Sequence, residues 1–430
     1  MERHIDLMPT KHSTDYLISH KSFTANGKSY HPPGCPVAVI CLDGSSDEYI
    51  NAALAHEKMP NLSGMLQKGG FRGVVRAALP SFTNVNNASI VTGVPPSVHG
   101  ISGNFFLDPD SGNEVMMNSG SFLRVETILA EAARAGRRVG VVTAKEKLRD
   151  ILSHGLTGIA FSAEKADQAT KITHGIDHVE HLVGAPAPPI YSAEASLFVL
   201  AAGVALMHHG LADLLYLSLT DYMQHKHAPG SDQAIEFYSQ IDIEIGRLLD
   251  GGALVAATAD HGMNAKQRMD RTPNVIYLET LLTETFGGGC DVILPITDPY
   301  VVHHGSLGSF AVVHLAEHMS AETVGQWILE LDGITEVYHR RQAAEKLELP
   351  TDRIGDLVVL SARDVAIGRT PEHHDLTAVA KGLRSHGGRY EEMVPLLLSE
   401  PLKPRYAQYA DTDPRNFDVF DFALNGTTRI

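Results

Sequence analysis

Three aspartates in this 430-residue chain each follow an apolar run that is typical of a buried β-strand. They are Asp43 after residues 37–42, Asp221 after residues 214–220, and Asp260 after residues 254–259. In an open α/β sheet the carboxyl ends of the strands form one edge, and ligands bind there. Three carboxylates at one edge repel one another unless cations hold them. The pattern therefore predicts a cation-binding edge in an α/β protein.

Two histidines closely follow these aspartates. His225 lies four residues after Asp221, a spacing that puts both side chains on one face of a helical turn. His261 directly follows Asp260. Carboxylate oxygen and imidazole nitrogen together suit zinc, manganese or iron. His227 competes with His225 as a ligand, but its spacing from Asp221 suits a helical turn less well. The pattern of aspartates and histidines predicts a metal-dependent hydrolase or transferase.

The charge balance argues against large anionic partners. The chain has 35 Lys and Arg residues against 51 Asp and Glu residues, a formal net charge of −16. Such a chain is a poor candidate for binding nucleic acid or an anionic membrane. A small anionic substrate is compatible with this charge if the site itself is locally positive. The sequence does not reveal the oligomeric state, and a homodimer is one option.

Cysteine content and the N-terminus predict a cytoplasmic location. The three cysteines are too few for a disulfide framework, which favours a reducing compartment. The first six residues lack the apolar segment of a secretory signal. The longest apolar stretch, about residues 195–207, is too short to span a bilayer and predicts a core helix.

The order of apolar runs predicts an α/β fold. Strand-like and helical segments alternate from residue 37 to residue 260, which is typical of a doubly wound, mainly parallel sheet with helices on both faces. We expect three parts: an N-terminal arm at 1–35 that could form a small hairpin, a metal-binding α/β core at 36–275 and 375–430, and an inserted α+β cap domain at 276–374. Residues 393–398 are expected to form a strand or a buried edge of the main sheet.

Thr83 stands where a helix is predicted to begin. Its hydroxyl could simply cap that helix. The same position suits a nucleophile, because backbone N–H groups and the helix dipole at a helix N-terminus attract a phosphoryl group. A metal contact would lower the pKa of the hydroxyl and activate it. Taken alone, the residue favours the capping role.

Five segments carry a resemblance to a known family. They are Val39-Ile40-Cys41-Leu42-Asp43-Gly44, Leu79-Pro80-Ser81-Phe82-Thr83-Asn84, Thr92-Gly93-Val94-Pro95-Pro96-Ser97-Val98-His99-Gly100-Ile101, Asp221-Tyr222-Met223-Gln224-His225 and Ala259-Asp260-His261-Gly262-Met263. Together they resemble the alkaline phosphatase superfamily over roughly residues 36–275 and 375–430. The threonine and the run 95–101 resemble its nucleotide pyrophosphatase/phosphodiesterase branch.

Within that branch the chain is similar to the phosphonoacetate hydrolases, which cleave a carbon–phosphorus bond with two zinc ions. The similarity rests partly on Lys145 and Lys147, which follow the strand-like run 139–142. Side chains two residues apart in extended chain point to the same side, so both ammonium groups could bind a substrate carboxylate. Without the resemblance, two solvated lysines would be the simpler interpretation.

The resemblance implies two Zn²⁺ ions per chain, each held by its own group of ligands. One group is Asp221, His225 and His386, the last taken from Ser385-His386-Gly387-Gly388, and the other is Asp43, Asp260, His261 and the Thr83 hydroxyl. Two cations roughly 3.5–4 Å apart can hold both the attacking and the leaving groups of a displacement at phosphorus. Manganese or iron would fit the same ligand types.

The implied reaction is the hydrolysis of phosphonoacetate to acetate and phosphate. Thr83 would attack phosphorus, and Asn104 would bind a phosphonate oxygen, although it could equally be an ordinary loop residue. Lys145, Lys147 and one zinc would stabilise the acetate carbanion as an enediolate. Hydroxide activated at zinc would then hydrolyse the phosphothreonine. Direct attack by such a hydroxide is the alternative.

Three other functions compete with this one. A phosphodiesterase or nucleotide pyrophosphatase would use the same metals and would need an aromatic slot near Phe105 and Phe106 for the base. A metal-dependent phosphomutase is less favoured, since it would have a larger cap and more acidic ligands. A non-catalytic, metal-stabilised binding protein belongs to another class, but it has no use for the Thr83 hydroxyl at an open metal position.

Overall fold

The computed structural model describes residues 18–296, 305–380 and 382–429. Its strands are β1 Phe23–Ala25, β2 Lys28–Tyr30, β3 Val37–Cys41, β4 Phe71–Arg76, β5 Phe105–Leu107, β6 Glu114–Met116, β7 Val139–Thr143, β8 Ile159–Ser162, β9 Leu214–Ser218, β10 Leu254–Thr258, β11 Asn264–Ala265, β12 Val275–Tyr277, β13 Asp291–Ile293, β14 Phe310–His314, β15 Ile334–His339, β16 Leu357–Ser361, β17 Ala366–Gly368, β18 Arg384–Ser385 and β19 Met393–Leu398.

Its helices are α1 Asp47–Ala55, α2 Pro60–Gln67, α3 Thr83–Thr92, α4 Pro96–His99, α5 Ile128–Arg134, α6 Glu146–Leu152, α7 Lys171–His174, α8 Val179–Val183, α9 Ala193–His208, α10 Tyr222–Lys226, α11 Asp232–Asp250, α12 Leu278–Phe286, α13 Ala321–Leu329, α14 Arg340–Lys346, α15 Pro404–Ala410 and α16 Val419–Asp421. None of these described helices combines the length and the apolarity needed to cross a membrane.

A seven-stranded sheet forms the centre of the molecule, in the order β4-β19-β10-β3-β9-β7-β8. The neighbours β10, β3, β9, β7 and β8 run parallel to one another. Every residue of β3, β7, β9 and β10 is buried, so both faces of the sheet are covered. Parallel sheets have this double cover because their crossover helices lie on both faces. The predicted fold class is confirmed.

Strand β19 departs from the parallel pattern. It lies inside the sheet, antiparallel to both β10 and β4, and is not an edge strand. Pairing with β10 begins at Leu396, one residue after Pro395, so the missing N–H of the proline costs no hydrogen bond to β10. The late return of the chain to the main sheet was predicted, whereas its direction depends on tertiary packing.

A second sheet lies in the region where a cap was expected. Its four strands are antiparallel, in the order β13-β14-β16-β15, and α12, α13 and α14 belong to the same stretch of chain. The backbone N–H of Ser309, just before β14, donates to the carbonyl of His386 at 3.0 Å, so this sheet contacts the segment that follows β18. The mixed α and β content agrees with the expected cap, and its domain bounds stay a prediction.

The N-terminal segment contains the hairpin β1–β2. Asn26 and Gly27 form its turn with φ of 49° and 82°, the left-handed pair that a two-residue hairpin turn requires. The rings of Phe23 and Tyr30 stack with centroids 5.2 Å apart and anchor the hairpin to the core. The predicted arm at 1–35 also includes residues 1–17, which lie outside the described residues.

A fully buried ion pair supports the segment that follows β18. The Nζ atom of Lys266 lies 2.8 Å from Oε1 of Glu391 and 2.7 Å from the carbonyl oxygen of Arg363. The other carboxylate oxygen of Glu391 accepts the N–H of Gly388 at 3.1 Å. Because Gly388 is two residues after His386, the pair holds the backbone that carries this histidine.

We predict that Lys266→Met strongly destabilises the protein. The change leaves the Glu391 carboxylate buried without its cation, which costs about 3–5 kcal/mol. Denaturant unfolding measures the loss, and the exposed Lys171→Met serves as a control that should shift the free energy of unfolding by less than about 0.5 kcal/mol. Equal stability of the two variants would contradict the prediction.

Candidate metal centre

Two clusters of buried ligands form at the carboxyl edge of the main sheet. They consist of Asp221, His225 and His386, and of Asp43, Asp260 and His261, and the ligand atoms within each cluster all lie within 4.8 Å of one another. The structure brings these residues together in the same two groups that the sequence analysis expected. His227 is half-buried at the end of α10 and belongs to neither cluster.

Each of the three histidines is oriented by a backbone carbonyl. The Nδ1 atom contacts the oxygen of Arg384 at 2.7 Å in His225, of Gly262 at 2.9 Å in His261 and of Ser81 at 2.8 Å in His386. A carbonyl only accepts, so Nδ1 carries the proton and Nε2 has the lone pair in the neutral ring. Metal-binding histidines are commonly held in this way. The sequence does not reveal these three contacts, because the accepting oxygens belong to the backbone.

The Nε2 atoms face the carboxylates. Nε2 of His225 lies 2.9 Å from Oδ2 of Asp221, and Nε2 of His261 lies 3.3 Å from Oδ1 of Asp43. Both carboxylate oxygens of Asp43 are buried and accept no hydrogen bond among the described residues. When His261 is neutral, as it is when its Nε2 binds a metal, it has no proton on that atom to donate to them. Burying such oxygens without a partner is costly, so the residues present fit a bound divalent cation.

The electrostatics of the edge favour positive charge. Burial, together with the neighbouring Asp221 and Asp260, raises the pKa of Asp43 well above its usual range. Burial also acts to raise the pKa of Asp221, but Lys145 and His225 outweigh it and hold that pKa well below the usual range. Burial lowers the pKa of His261, yet the surrounding carboxylates outweigh it and bring the value to about 10. A proton or a metal ion is therefore stabilised between these groups.

Thr83 is the first residue of α3, and its hydroxyl faces a cluster. Phe82 occupies the cap position, so the hydroxyl of Thr83 does not cap the helix. Its Oγ1 lies 3.4 Å from Nε2 of His261. The side chain of Thr83 is half-buried. Because its hydroxyl contacts His261, the start of α3 directs both this hydroxyl and the positive end of the helix dipole towards the metal centre. This geometry disfavours the capping interpretation.

Asn87, also on α3, is a residue that the sequence analysis missed. It is fully buried, and its amide nitrogen donates to Oδ2 of Asp260 at 3.2 Å and to the carbonyl of Thr83 at 3.1 Å. Its oxygen accepts hydrogen bonds from Tyr216 at 2.8 Å and Ser218 at 2.9 Å. Its amide therefore links α3 to a candidate metal ligand. Three asparagines within residues 84–87 were an available signal, because asparagine disfavours helix interiors.

Asn104 lies beside the beginning of α3. Its Oδ1 accepts the backbone N–H of Asn84 at 3.0 Å, which leaves the NH₂ group as a donor. The side chain of Asn84 donates in turn to the carbonyl of Met117 at 2.7 Å, and the N–H of Met117 donates to the carbonyl of Asn104 at 2.9 Å. Pro295, just after β13, accepts the N–H of Asn104 at 2.8 Å. Asn104 is therefore held from two sides.

The two lysines reach the edge in a different way from the one expected. Lys145 precedes α6 in extended conformation, but Lys147 lies in the first turn of that helix, so the extended spacing argument was wrong. Lys145 is buried, with Nζ 3.2 Å from Oδ1 of Asp221. Lys147 is half-buried, and burial together with the charge of Lys145 lowers its pKa to about 7. Lys145 is therefore not a solvated surface group.

Comparison with known proteins identifies the family. The family model for type I phosphodiesterase / nucleotide pyrophosphatase matches residues 37–389. The chain belongs to this family. The resemblance seen in the sequence motifs is confirmed, and with it the alkaline phosphatase-like architecture of the core.

Two solved structures of one bacterial enzyme are similar to this family member over nearly all of its length. Phosphonoacetate hydrolase from Sinorhizobium meliloti 1021 in complex with phosphonoformate is 44% identical, with a TM-score of 0.88, and the match covers 95% of this chain and 99% of that chain. The complex of that enzyme with phosphonoacetate gives 43% identity, a TM-score of 0.88 and the same coverage.

A more distant structure shares the fold. Murine ectonucleotide pyrophosphatase / phosphodiesterase 5, in an inactive form in complex with AMP, is 16% identical, with a TM-score of 0.58 over 92% of this chain and 96% of that chain. At this identity the similarity concerns the fold alone.

We predict that Asn87→Asp weakens metal binding at the cluster of Asp43, Asp260 and His261. The variant replaces an amide donor by a carboxylate beside Asp260, and loss of such an outer partner costs about 10–100-fold in metal affinity. Zinc retained per chain after dialysis against graded chelator concentrations measures the effect.

Asn86→Asp is the matched control for this experiment. Asn86 is the neighbouring residue on α3 and is equally buried, but its amide bonds Ala78 and Asn416 and contacts no candidate ligand. The control should lose stability and still retain zinc in the folded fraction. Equal zinc retention in the two variants would contradict the positioning role of Asn87.

Proposed function

We propose that this chain hydrolyses the carbon–phosphorus bond of phosphonoacetate to acetate and phosphate, with Thr83 as nucleophile and two Zn²⁺ ions per chain. The observation that carries the proposal is the buried ammonium group of Lys145, 3.2 Å from Asp221 at the candidate metal centre. A free carboxylate distinguishes phosphonoacetate from phosphate esters, and a fixed cation is the group that recognises it. Phosphonoacetate hydrolase, 44% identical over 95% of this chain, supports the same substrate.

The two clusters would each hold one ion. Asp221, His225 and His386 form the first ligand set, and Asp43, Asp260 and His261, with the Thr83 hydroxyl, form the second. When bound, the ions would supply Lewis acidity that lowers the pKa of the threonine hydroxyl and offsets the charge of the phosphonate. Manganese or iron would suit the same donors, so zinc is the finer part of this proposal.

The residues of the chain account for the first half of the reaction. Oγ1 of Thr83 forms a bond to phosphorus as the bond from phosphorus to the methylene carbon breaks. The electron pair passes to that carbon and is delocalised into the carboxylate as an enediolate. Lys145 and Lys147 would hold this carboxylate and stabilise the negative charge that develops on it. The hydroxyl proton of Thr83 is lost to solvent in this step, and a proton from solvent then completes acetate.

The phosphonate oxygens need their own donors. The NH₂ group of Asn104 is oriented by its bond to Asn84 and would bind one oxygen. The backbone N–H groups at the start of α3 and the helix dipole would attract the rest of the group. Water then cleaves the phosphothreonine and restores the hydroxyl of Thr83. Attack on phosphorus by water itself, without a threonine intermediate, is the mechanistic alternative.

One alternative activity has support of its own. A phosphodiesterase of the same family is the second candidate function, supported by the family match over residues 37–389. A purely structural metal site is disfavoured because Thr83 adds a hydroxyl beside the ligands, where a structural site would be closed. The cytoplasmic location and the homodimer stay predictions. The three cysteines are all buried and free, which agrees with a reducing compartment.

We predict that zinc-loaded protein releases phosphate rapidly from phosphonoacetate but not from 2-aminoethylphosphonate, which lacks the carboxylate. A phosphate assay run beside bis(p-nitrophenyl) phosphate measures the preference, and a chelator should abolish the release. Thr83→Ala should lower kcat by at least about 10³-fold if the threonine is the nucleophile. Rapid turnover of the diester without any turnover of phosphonoacetate would contradict the proposed activity and support the phosphodiesterase function instead.

We predict that the benefit of Lys147 depends on pH. Its pKa of about 7 means that the ammonium group is charged below that value and loses its charge as the pH rises through it. The ratio of kcat/KM for wild type to that for Lys147→Met should therefore fall from about tenfold near pH 6 towards one near pH 9. The ratio cancels titrations that both proteins share. A ratio that stays constant with pH would show that Lys147 does not act through its charge.

A further inference from the structure

A cavity of about 500 Å³ lies beside the metal centre. It opens between α1, the loop that follows β11, and β18. Four arginines line it, Arg268, Arg271, Arg363 and Arg384, together with the acidic residues Glu48 and Asp364. None of the six cluster ligands, nor Thr83, Asn104, Lys145 or Lys147, is among its lining residues. The cavity is therefore a separate site.

Arg384 places a half-buried positive charge in this cavity. Its Nε donates to the carbonyl of Gln224 at 2.8 Å, and Nη2 donates to the hydroxyl of Tyr49 at 2.9 Å and to the carbonyl of Met263 at 3.3 Å. All three partners are neutral, and no carboxylate pairs with Arg384 within residues 18–296, 305–380 and 382–429. These bonds fix the guanidinium plane without cancelling its charge, and such a charge favours an anionic ligand.

The other arginines add to this positive field. Nε of Arg363 donates to Oδ1 of Asn264 at 2.9 Å, whereas its closest carboxylate contact, to Glu48, is a loose 3.8 Å. Nη1 of Arg268 donates to the carbonyl of Pro273 at 2.9 Å. Two of the guanidinium groups are thus oriented by neutral partners beside Arg384. In a chain of net charge −16, four arginines around one cavity reverse the local sign of the charge.

We propose that this cavity binds a small oxyanion of the phosphate class at a site separate from the metal centre. Guanidinium groups present paired N–H donors that match the oxygens of a phosphate, and several of them can share one dianion. The volume admits a phosphate group with its bound water or a small phosphorylated metabolite. The proposal is independent of the reaction catalysed at the metal centre.

The cavity is connected to the metal centre through one residue. The carbonyl of Arg384 accepts the Nδ1 proton of His225 at 2.7 Å, and His386 follows two residues later, just after β18. An anion held by the side chain of Arg384 therefore acts on the backbone that orients two candidate ligands. Occupancy of the cavity should alter the first ligand cluster more than the second.

Equilibrium dialysis with radiolabelled inorganic phosphate tests the proposal on the zinc-loaded protein. The pocket variant carries Arg268→Gln and Arg363→Gln, which remove two charges and keep most of the side-chain volume. The control carries Arg341→Gln and Arg405→Gln, two exposed arginines on α14 and α15, so the net charge changes equally. Any phosphate bound at the metal centre is common to all three proteins, so the comparison concerns the additional site.

Wild type and the control should bind one more phosphate per chain than the pocket variant, or bind it at least about tenfold more tightly. Unchanged binding in the pocket variant would overturn the proposal, and so would an equal loss in the control, since that would reveal a general charge effect. Circular dichroism and zinc content verify that the variants are folded. Phosphate release from phosphonoacetate, measured on the same samples, separates a failure here from a failure of the proposed activity.

Discussion

Mutual repulsion among three buried carboxylates is the constraint on which the rest of the site depends. Asp43, Asp221 and Asp260 are each at most 3% exposed, and they meet because parallel strands bring their carboxyl ends to one edge. Such a group is stable only with positive charge among its members. Histidines held by backbone carbonyls, the ammonium of Lys145 and a metal ion are alternative ways of supplying that charge.

Helix α3 holds the candidate reacting groups next to these carboxylates. Its first residue, Thr83, presents a hydroxyl to one cluster, and Asn87 one turn later holds both Asp260 and the backbone of Thr83. Asn84 ties the same helix start to Asn104, whose loop is also held at Pro295. The candidate nucleophile on α3, the candidate metal ligand Asp260 and the proposed phosphonate donor Asn104 are therefore all tied by hydrogen bonds to one helix. Catalysis by positioning requires such ties, because small displacements of reacting groups are costly.

Positive charge is distributed unevenly in this acidic protein. Lys145 and Lys147 lie on one side of the centre, where a carboxylate-bearing substrate needs them, and the four-arginine cavity lies beside β18. The lysine pair was assigned through the family resemblance, but the extended conformation inferred for it was wrong, because α6 begins at Glu146. The arginines come from segments far apart in the chain, so no local pattern marked the cavity.

The sequence by itself determined the class of fold and most of the candidate ligands, whereas His386 came from the family resemblance. The local features are the apolar runs that end in aspartate, the Asp221–His225 spacing and the position of Thr83. Such features can be recognised in the sequence without knowing how the chain packs. Only the tertiary structure decided that β19 runs antiparallel inside the sheet, that Asn87 reaches Asp260, and that carbonyls of Arg384, Gly262 and Ser81 orient the histidines. The physical reason is that these contacts join backbone and side-chain atoms brought together by folding, and residue order alone does not encode their distances.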